Sequence, residues 1–229
     1  MNIFSILRKN ASRFISSSRN SSPELYPVKL YSSSKPPIGN MILSYLAYPV
    51  HLTDSSSELQ AHSNAWESRE IARIFKKLDF NIDVINWDDR TFIPHKKVDL
   101  IFDIAVNLQR IADVVRPSPI KILHRTGSDP NYQNAAEIRR VENVKRRRNS
   151  SYSPKRLAHE PELEIESLRQ ADFCSLLGNE HTLNTYPAEF HDKISLVPVS
   201  GSYLVPDRKP RFFVKSACGW VAIGPQNIC

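Results

Sequence analysis

The chain of 229 residues has few cysteines and no long apolar run. Its three cysteines, Cys174, Cys218 and Cys229, are too scattered for a disulfide framework, and no Cys/His spacing matches a zinc site. We therefore expect a reducing compartment and no structural metal. Because no stretch approaches the roughly 20 apolar residues that cross a bilayer, the sequence predicts no transmembrane span.

Motifs of several common enzyme classes are also missing. There is no Gly-x-Gly-x-x-Gly and no Walker Gly-Lys-Ser/Thr, which argues against a dinucleotide or P-loop site. The absence of a Gly-x-Ser-x-Gly elbow weakens a hydrolase interpretation. No closely spaced His/Asp ligands are present either, so the sequence predicts neither a metal ion nor a bound cofactor.

Acidic residues are under-represented, and the net charge of +7 needs an explanation. The basic residues form two clusters, one before the first acid, Glu24, and one between residues 139 and 156. A solvated helix face would explain the second cluster, as would attraction to anionic lipid headgroups or to a phosphorylated ligand. We expect no nucleic-acid partner, because no aromatic-rich basic motif accompanies the charges.

The first 40 residues differ in composition from the rest. Residues 1–22 are rich in Ser and Arg, lack acids, and contain the apolar residues Ile3, Phe4, Ile6, Leu7, Phe14 and Ile15. This composition is typical of a transit peptide, of a short helix on a membrane surface, or of a disordered tail. Residues 16–40 are dominated by Ser and Pro and predict a linker. We therefore expect residues 1–40 to form a disordered basic tail.

From residue 41 onwards, predicted strands alternate with predicted helices. The apolar runs 41–48, 81–87, 99–105, 120–124, 172–177 and 194–199 predict strands. Helical segments lie between several of them, which predicts an α/β, Rossmann-like parallel sheet with helices on both faces, over residues 41–205. Residues 211–215 predict one more strand and 216–224 a loop, so 206–229 is expected to begin a truncated second domain.

Two helices have predicted inward faces. In the first, Asn64 and Glu67 are expected to form a capping pair. The residues expected to point inward from this helix are Ile71, Ile74, Phe75 and Leu78. In the second helix, residues 131–148, they are Ala135, Ile138, Val141 and Val144.

The loops at the carboxyl ends of parallel strands meet at one edge, where ligands bind. The predicted acceptor or phosphate contacts at this edge are Tyr48, His51, Asn107, Thr126, Gly127, Gly178, Asn179 and Glu180. His62, before the first helix, and His124, at the end of a strand, are the candidate catalytic groups. The set suits a polyhydroxylated or phosphorylated ligand. Structural roles stay open: a strand-ending histidine is often simply hydrogen-bonded, and Asn179 is equally suited to cap a helix.

Several motifs, in order, resemble the N-terminal half of bacterial group 1 (family four) glycosyltransferases. The resemblance covers residues 39–200. Its motifs are Gly-Asn-Met-Ile-Leu-Ser-Tyr at 39–45, His-Ser-Asn-Ala-Trp-Glu-Ser at 62–68, Phe-Asn-Ile-Asp-Val-Ile at 80–85, Asn-Ala-Ala-Glu-x-Arg-Arg at 134–140 and Ala-Asp-x-x-x-x-Leu-Gly-Asn at 171–179. It implies the GT-B fold, in which an N-terminal domain takes the acceptor, a C-terminal domain holds the nucleotide-sugar, and no metal is needed.

The resemblance weakens after residue 211. Arg-Phe-Phe at 211–213 and Gly-Trp-Val at 219–221 are similar to the opening of the donor domain, but residues 222–229 are not. This implies a truncated gene product or a fragment, either natural or caused by a frameshift near residues 214–222, with a separately encoded donor domain as partner. The expected function is transfer of a sugar from a nucleotide-sugar to an acceptor sugar or glycan, with no activity from this chain alone. We expect a cytoplasmic protein, peripheral at the inner membrane surface. The alternative is a non-catalytic Rossmann-like module that contacts an anionic membrane or an acidic partner.

Overall fold

The computed structural model describes residues 27–32, 36–198, 212–216 and 219–223. Seven strands form one sheet: β1 (Val28–Leu30), β2 (Gly39–Tyr45), β3 (Phe80–Asn86), β4 (Leu100–Asp103), β5 (Ile120–Arg125), β6 (Phe173–Leu177) and β7 (Ile194–Val197). Their spatial order is β1-β3-β2-β4-β5-β6-β7. All neighbouring strands run parallel except β1, which is antiparallel to β3. The α/β, Rossmann-like prediction is confirmed.

Six α-helices occur in the described ranges. They are α1 (Ser57–Ala61), α2 (Ser63–Lys77), α3 (Asn107–Val114), α4 (Pro130–Arg148), α5 (Pro161–Gln170) and α6 (Glu180–Leu183). Two 3-10 helices, Tyr48–His51 and Ala188–Lys193, follow β2 and precede β7. The connection from β3 to β4 contains no helix.

The two faces of the sheet have separate apolar cores. On one face, Ala72 of α2 packs with β2, β3 and β4 residues such as Leu43 and Val84. On the other face, α3 and α5 cover the sheet, with Leu108 and Leu168 buried together. We call these the α2 face and the α3–α5 face. Alternate residues of each strand point to opposite faces, which is why strands buried on both sides have nearly continuous apolar sequences.

The linker prediction is wrong for part of residues 16–40. Val28–Leu30 pair with β3 as an edge strand, and Val28 is buried against the α2-face core. Gly39 and Asn40 already belong to β2. A strand of three residues with one buried side chain has too little apolar periodicity to be detected among Ser and Pro. Residues 1–26 lie outside the described ranges.

The capping pair predicted at Asn64 and Glu67 is also wrong. The residue before α2 is His62, and no side chain caps this helix. Glu67 points to the sheet and is 6% exposed. The inward face is rotated accordingly: Ile74 and Leu78 are about half exposed, while Ala65, Ser68 and Ala72 are buried.

In α4, Val141 is buried as predicted, but Ala135 and Ile138 are exposed and Val144 is only partly covered. This helix contacts α5 and residues 155–158, not the sheet core. The Asn134 side-chain oxygen accepts from the Ala158 N–H, and Glu137 accepts from the Lys155 N–H. The loop predicted at 216–224 is wrong too. β8 (Phe212–Ser216) and β9 (Gly219–Ile223) pair as an antiparallel hairpin.

Candidate functional site

The loops that follow β5 and β6 lie side by side at the carboxyl edge of the sheet. β5 and β6 pair in parallel with His124 opposite Ser175 and Arg125 opposite Leu176. Continuing that register brings residues 126–128 next to Gly178 and Asn179. Thr126 is exposed, and the space that a side chain would occupy at Gly127 is open to 4 Å. Four of the predicted site residues, Thr126, Gly127, Gly178 and Asn179, therefore lie on adjacent loops at this edge.

The loop after β5 is held in place by the segment 185–186. The Tyr186 hydroxyl donates to the Gly127 carbonyl at 2.8 Å, and the Asp129 N–H donates to Thr185 Oγ1 at 2.9 Å. Asp129 in turn accepts from the N–H groups of Asn131 and Tyr132, both at 2.9 Å, and so caps α4. These bonds hold the backbone while leaving the Thr126 side chain exposed.

The loop after β6 requires its glycine. Gly178 has φ +149°, and a Cβ there would lie 2.5 Å from Thr182 Oγ1. Asn179 accepts from the N–H groups of His181 and Thr182 at 3.0 and 3.3 Å, so its side-chain oxygen caps α6. The capping alternative for Asn179 is therefore correct, whereas Glu180 is exposed beside it.

The other predicted contacts lie elsewhere. Tyr48 and His51 are in the 3-10 helix after β2, and burial together with Glu58 raises the pKa of Tyr48 above its ordinary value. Asn107 is fully buried. Its amide donates to Ser44 Oγ at 3.1 Å and to the Trp87 carbonyl at 2.9 Å, and its oxygen accepts from Arg110. With its hydrogen-bonding capacity used, Asn107 joins neighbouring loops and is not accessible to a ligand.

The two candidate catalytic histidines do not share a site. His62 is exposed at the start of α2. His124 is 5% exposed and points to the α2 face, away from the loop edge. Its Nδ1 lies 2.7 Å from Ser175 Oγ, and its Nε2 lies 3.6 Å from Glu67 Oε2, too far for a hydrogen bond. His124 therefore belongs to a buried polar cluster beneath α2.

Glu67 favours one of the two tautomers of a neutral His124 ring. A lone pair on Nε2 would face the Glu67 carboxylate, so the neutral ring is more stable with its proton on Nε2 and its Nδ1 accepting from the Ser175 hydroxyl. The Tyr45 hydroxyl donates to the same Glu67 oxygen at 2.7 Å. Burial, followed by the Glu67 hydrogen bond, raises the pKa of Tyr45 well above its ordinary value.

This cluster forms the floor of a shallow groove of about 280 Å³ between α2 and the sheet. Its walls are mainly apolar and include Trp66, Ile71, Ile74, Phe102 and Val197. The groove thus combines an apolar lining with buried polar atoms at its base.

Sequence reasoning missed the buried Arg125. It donates to the Ile104 carbonyl at 3.1 Å and to Tyr186 Oη at 3.3 Å, and it forms an ion pair with Glu164. Burial alone would lower the pKa of Arg125, but Tyr186 and Glu164 outweigh it and raise that pKa above the ordinary value. The signal in the sequence was an arginine at the end of an apolar strand. Because an isolated charge is costly to bury, such a residue indicates a buried partner.

No family model, curated protein or solved structure matches this chain in the three comparisons that were made. Among the described residues, no helix is long and apolar enough to cross a membrane. The same residues contain no group of three or more His, Cys, Asp or Glu side chains positioned to hold a metal ion.

Proposed function

We propose that this chain is the acceptor-binding domain of a GT-B type glycosyltransferase, which transfers a sugar from a nucleotide-sugar to an acceptor sugar or glycan. The observation that supports the proposal is the pair of loops after β5 and β6. They place Thr126, Gly127 and Glu180 on two loops that both leave the carboxyl edge of a parallel sheet. This edge is where ligands of open α/β sheets bind.

The chemistry of these groups suits a polyhydroxylated ligand. A carboxylate such as Glu180 accepts hydrogen bonds from sugar hydroxyls, and the Thr126 hydroxyl both donates and accepts. Gly127 has no side chain and open space around it, so a ligand can approach the backbone closely. The bonds from Tyr186 and Thr185 keep the loop in one conformation, which lowers the entropic cost of binding.

In this proposal, sugar transfer requires a second domain. The donor nucleotide-sugar is held by another domain, and the reacting groups must be oriented together for the rate to become appreciable. The buried His124 is not positioned to contact an acceptor at the loop edge, so the exposed His62 is the candidate base. The chain alone binds its acceptor and does not turn it over.

Saturation-transfer NMR with free hexoses and N-acetylhexosamines tests acceptor binding to the full chain. We expect a signal from at least one sugar, reduced by Thr126→Val and by Glu180→Gln. Glu189→Gln is the matched control, because Glu189 is exposed in the 3-10 helix before β7, at the opposite edge of the sheet. Equal signals from the Glu180 and Glu189 variants, or no signal from any sugar, would refute the site.

A second function is supported by α4. Residues 145–148 are Lys-Arg-Arg-Arg, all exposed in its last turn, and no acidic side chain of the described chain pairs with them. Such a cluster attracts an anionic membrane surface or an acidic partner. Binding to phosphatidylglycerol vesicles that weakens steeply with salt, and is lost in Arg146→Glu/Arg147→Glu but not in Arg169→Glu, would support this function.

A further inference from the structure

Three polar side chains beneath α2 have the arrangement of a nucleophile, a base and an orienting acid. Ser175 Oγ lies 2.7 Å from His124 Nδ1, and His124 Nε2 lies 3.6 Å from Glu67 Oε2. The three residues come from β6, β5 and α2. A serine that is bonded to a histidine, whose other nitrogen faces a carboxylate, is the arrangement of an activated nucleophile. We call Ser175, His124 and Glu67 the serine triad.

The tautomer of His124 that Glu67 favours suits this chemistry. With the proton on Nε2, the lone pair of Nδ1 accepts from the Ser175 hydroxyl and is able to take its proton. The Glu67 carboxylate then stabilises the positive ring. Nε2 is buried and has no hydrogen-bond partner among the described residues. Its contact with Glu67 is long, but catalytic hydrogen bonds often shorten only when substrate binds.

Neighbouring side chains hold the base and the acid in place. The centroids of the Phe102 and Tyr45 rings lie 5.7 and 6.4 Å from that of His124. The Tyr45 hydroxyl donates to Glu67 Oε2 at 2.7 Å, which orients the carboxylate. His124 and Glu67 are almost completely buried, whereas Ser175 is partly exposed. The nucleophile is therefore the most accessible member of the serine triad.

Ser175 does not lie in the Gly-x-Ser-x-Gly turn that the sequence lacks. It is inside β6, beside His124 of β5, and both residues line the groove between α2 and the sheet. This groove gives a substrate access to Ser175. Serine triads are defined by geometry and recur on unrelated folds, so the missing turn excludes one class of hydrolase and not the chemistry itself.

The groove indicates the class of substrate. It has a volume of about 280 Å³ and mainly apolar walls, including Trp66 and Val197. Because sites for drug-sized ligands measure about 300–1,000 Å³, this groove suits a small acyl group. Glu67 and Glu70 in its lining disfavour an anionic one. The indole of Trp66 has an N–H, a donor that suits the carbonyl oxygen of a substrate.

We propose that the serine triad hydrolyses small, uncharged carboxylic esters. Ser175 Oγ attacks the acyl carbon while the hydroxyl proton moves to His124 Nδ1. The ester C–O bond breaks, and the leaving alcohol takes that proton from Nδ1. Water then attacks the acyl-serine and gives a proton to Nδ1. The bond between the acyl carbon and Oγ breaks, the carboxylic acid leaves, and Oγ recovers the proton.

This activity is independent of the acceptor site proposed above, because the serine triad uses neither of the loops at the carboxyl edge. Loss of one activity therefore leaves the other unaffected.

Diisopropyl fluorophosphate, a small uncharged reagent for activated serines, tests the nucleophile in the full chain. We expect it to add one diisopropylphosphoryl group to Ser175 with release of fluoride, as located by peptide mass spectrometry. Ser175→Ala should abolish the mass increase. His124→Gln should slow labelling by about 100-fold or more, because a general base contributes at least that much. Ser195→Ala is the matched control, since Ser195 is exposed directly opposite Ser175 on β7, and it should leave the rate unchanged.

Hydrolysis of para-nitrophenyl acetate tests turnover. Release of nitrophenolate should be lost in Ser175→Ala and in His124→Gln and kept in Ser195→Ala. Circular dichroism verifies that each variant is folded.

Glu67 acts through His124, so its role is that of a positioning residue. Glu67→Gln keeps an acceptor for Tyr45 but removes the negative charge that favours a proton on Nε2. Nitrogen NMR of the His124 ring, assigned by its loss in His124→Gln, should show the Nε2–H tautomer in the parent chain and a shift toward Nδ1–H in Glu67→Gln. Labelling of Ser175 should slow in parallel, because Nδ1 then carries a proton and does not accept another.

Either of two results would overturn the proposal. One is a folded parent chain in which Ser175 is labelled no faster than Ser195; this result needs no variant and does not depend on whether a substitution impairs folding. The other is hydrolysis of para-nitrophenyl acetate that is unchanged in Ser175→Ala.

Discussion

The Tyr45 hydroxyl donates a hydrogen bond to Glu67 Oε2 at 2.7 Å and thereby joins strand β2 to helix α2. Both side chains are almost completely buried. Tyr45→Phe removes the donor and leaves a buried carboxylate oxygen without it, which should lower the free energy of unfolding by about 1–3 kcal/mol. Urea unfolding measures the change.

Tyr132→Phe is the control for that substitution, because Tyr132 is 50% exposed. It should change the free energy of unfolding by less than about 0.5 kcal/mol. Equal values for the two variants would contradict the buried hydrogen bond.

Substitution by alanine should affect stability differently at the glycines of the two site loops. Gly178 has a positive φ, and a Cβ there would collide with Thr182. Gly178→Ala should therefore cost about 1–3 kcal/mol of stability. Gly127 has open space at the same position, so Gly127→Ala should stay within about 0.5 kcal/mol of the parent. Thermal melts of both variants test the difference, and a larger loss from Gly127→Ala would be inconsistent with these loop conformations.

Asp103 should make stability depend on pH. It is fully buried at the end of β4, accepts from the Leu108 N–H at 2.9 Å, and burial raises its pKa above the ordinary value. Because the folded pKa is the higher one, the proton is bound more tightly in the folded state, and the stabilisation it confers is lost as pH rises through the folded pKa. Asp103→Asn removes the titration.

The parent chain should therefore lose stability relative to Asp103→Asn as pH rises from about 4 toward neutral. Urea unfolding at several pH values measures this difference. A difference that grows in favour of the parent at higher pH would show that Asp103 is stabilised as a carboxylate.

The ion pair between Arg125 and Glu164 should contribute far more than the exposed pair between Arg169 and Glu166. Arg125→Met leaves the largely covered Glu164 without its partner, which should cost about 3–5 kcal/mol. Arg169→Met should cost far less, because solvent screens that pair. Chemical denaturation compares the two, and similar losses would indicate that Arg125 is solvated in solution.

The proposed transferase predicts no turnover from this chain alone. Purified full-length protein incubated with several nucleotide-sugars and glycan acceptors should give no glycosylated product by mass spectrometry. Adding a complementary donor-domain polypeptide should produce it, since catalysis needs both reactants oriented together. Product from the chain by itself would show that it carries a complete site.

The sequence alone determined the fold class and most of the elements. Apolar runs such as 120–124 predicted the buried strands because two covered faces require nearly continuous apolar residues. The positions of the loops after β5 and β6 followed from the same strand predictions, because each loop begins where its strand ends. The sequence did not decide between structural and functional roles for His124 and Asn179, because residue type does not reveal which atoms a side chain contacts.

Only the tertiary structure decided orientation and burial. It turned Glu67 toward Tyr45 instead of the start of α2, placed Arg125 against Tyr186, and enclosed Asn107 among neighbouring loops. These partners are separated by 20 or more residues along the chain. The local periodicity of apolar residues carries no information about such contacts. They result from the right-handed crossovers and the strand order. Among the described elements, the same order places no helix over β5, β6 and β7 on the α2 face.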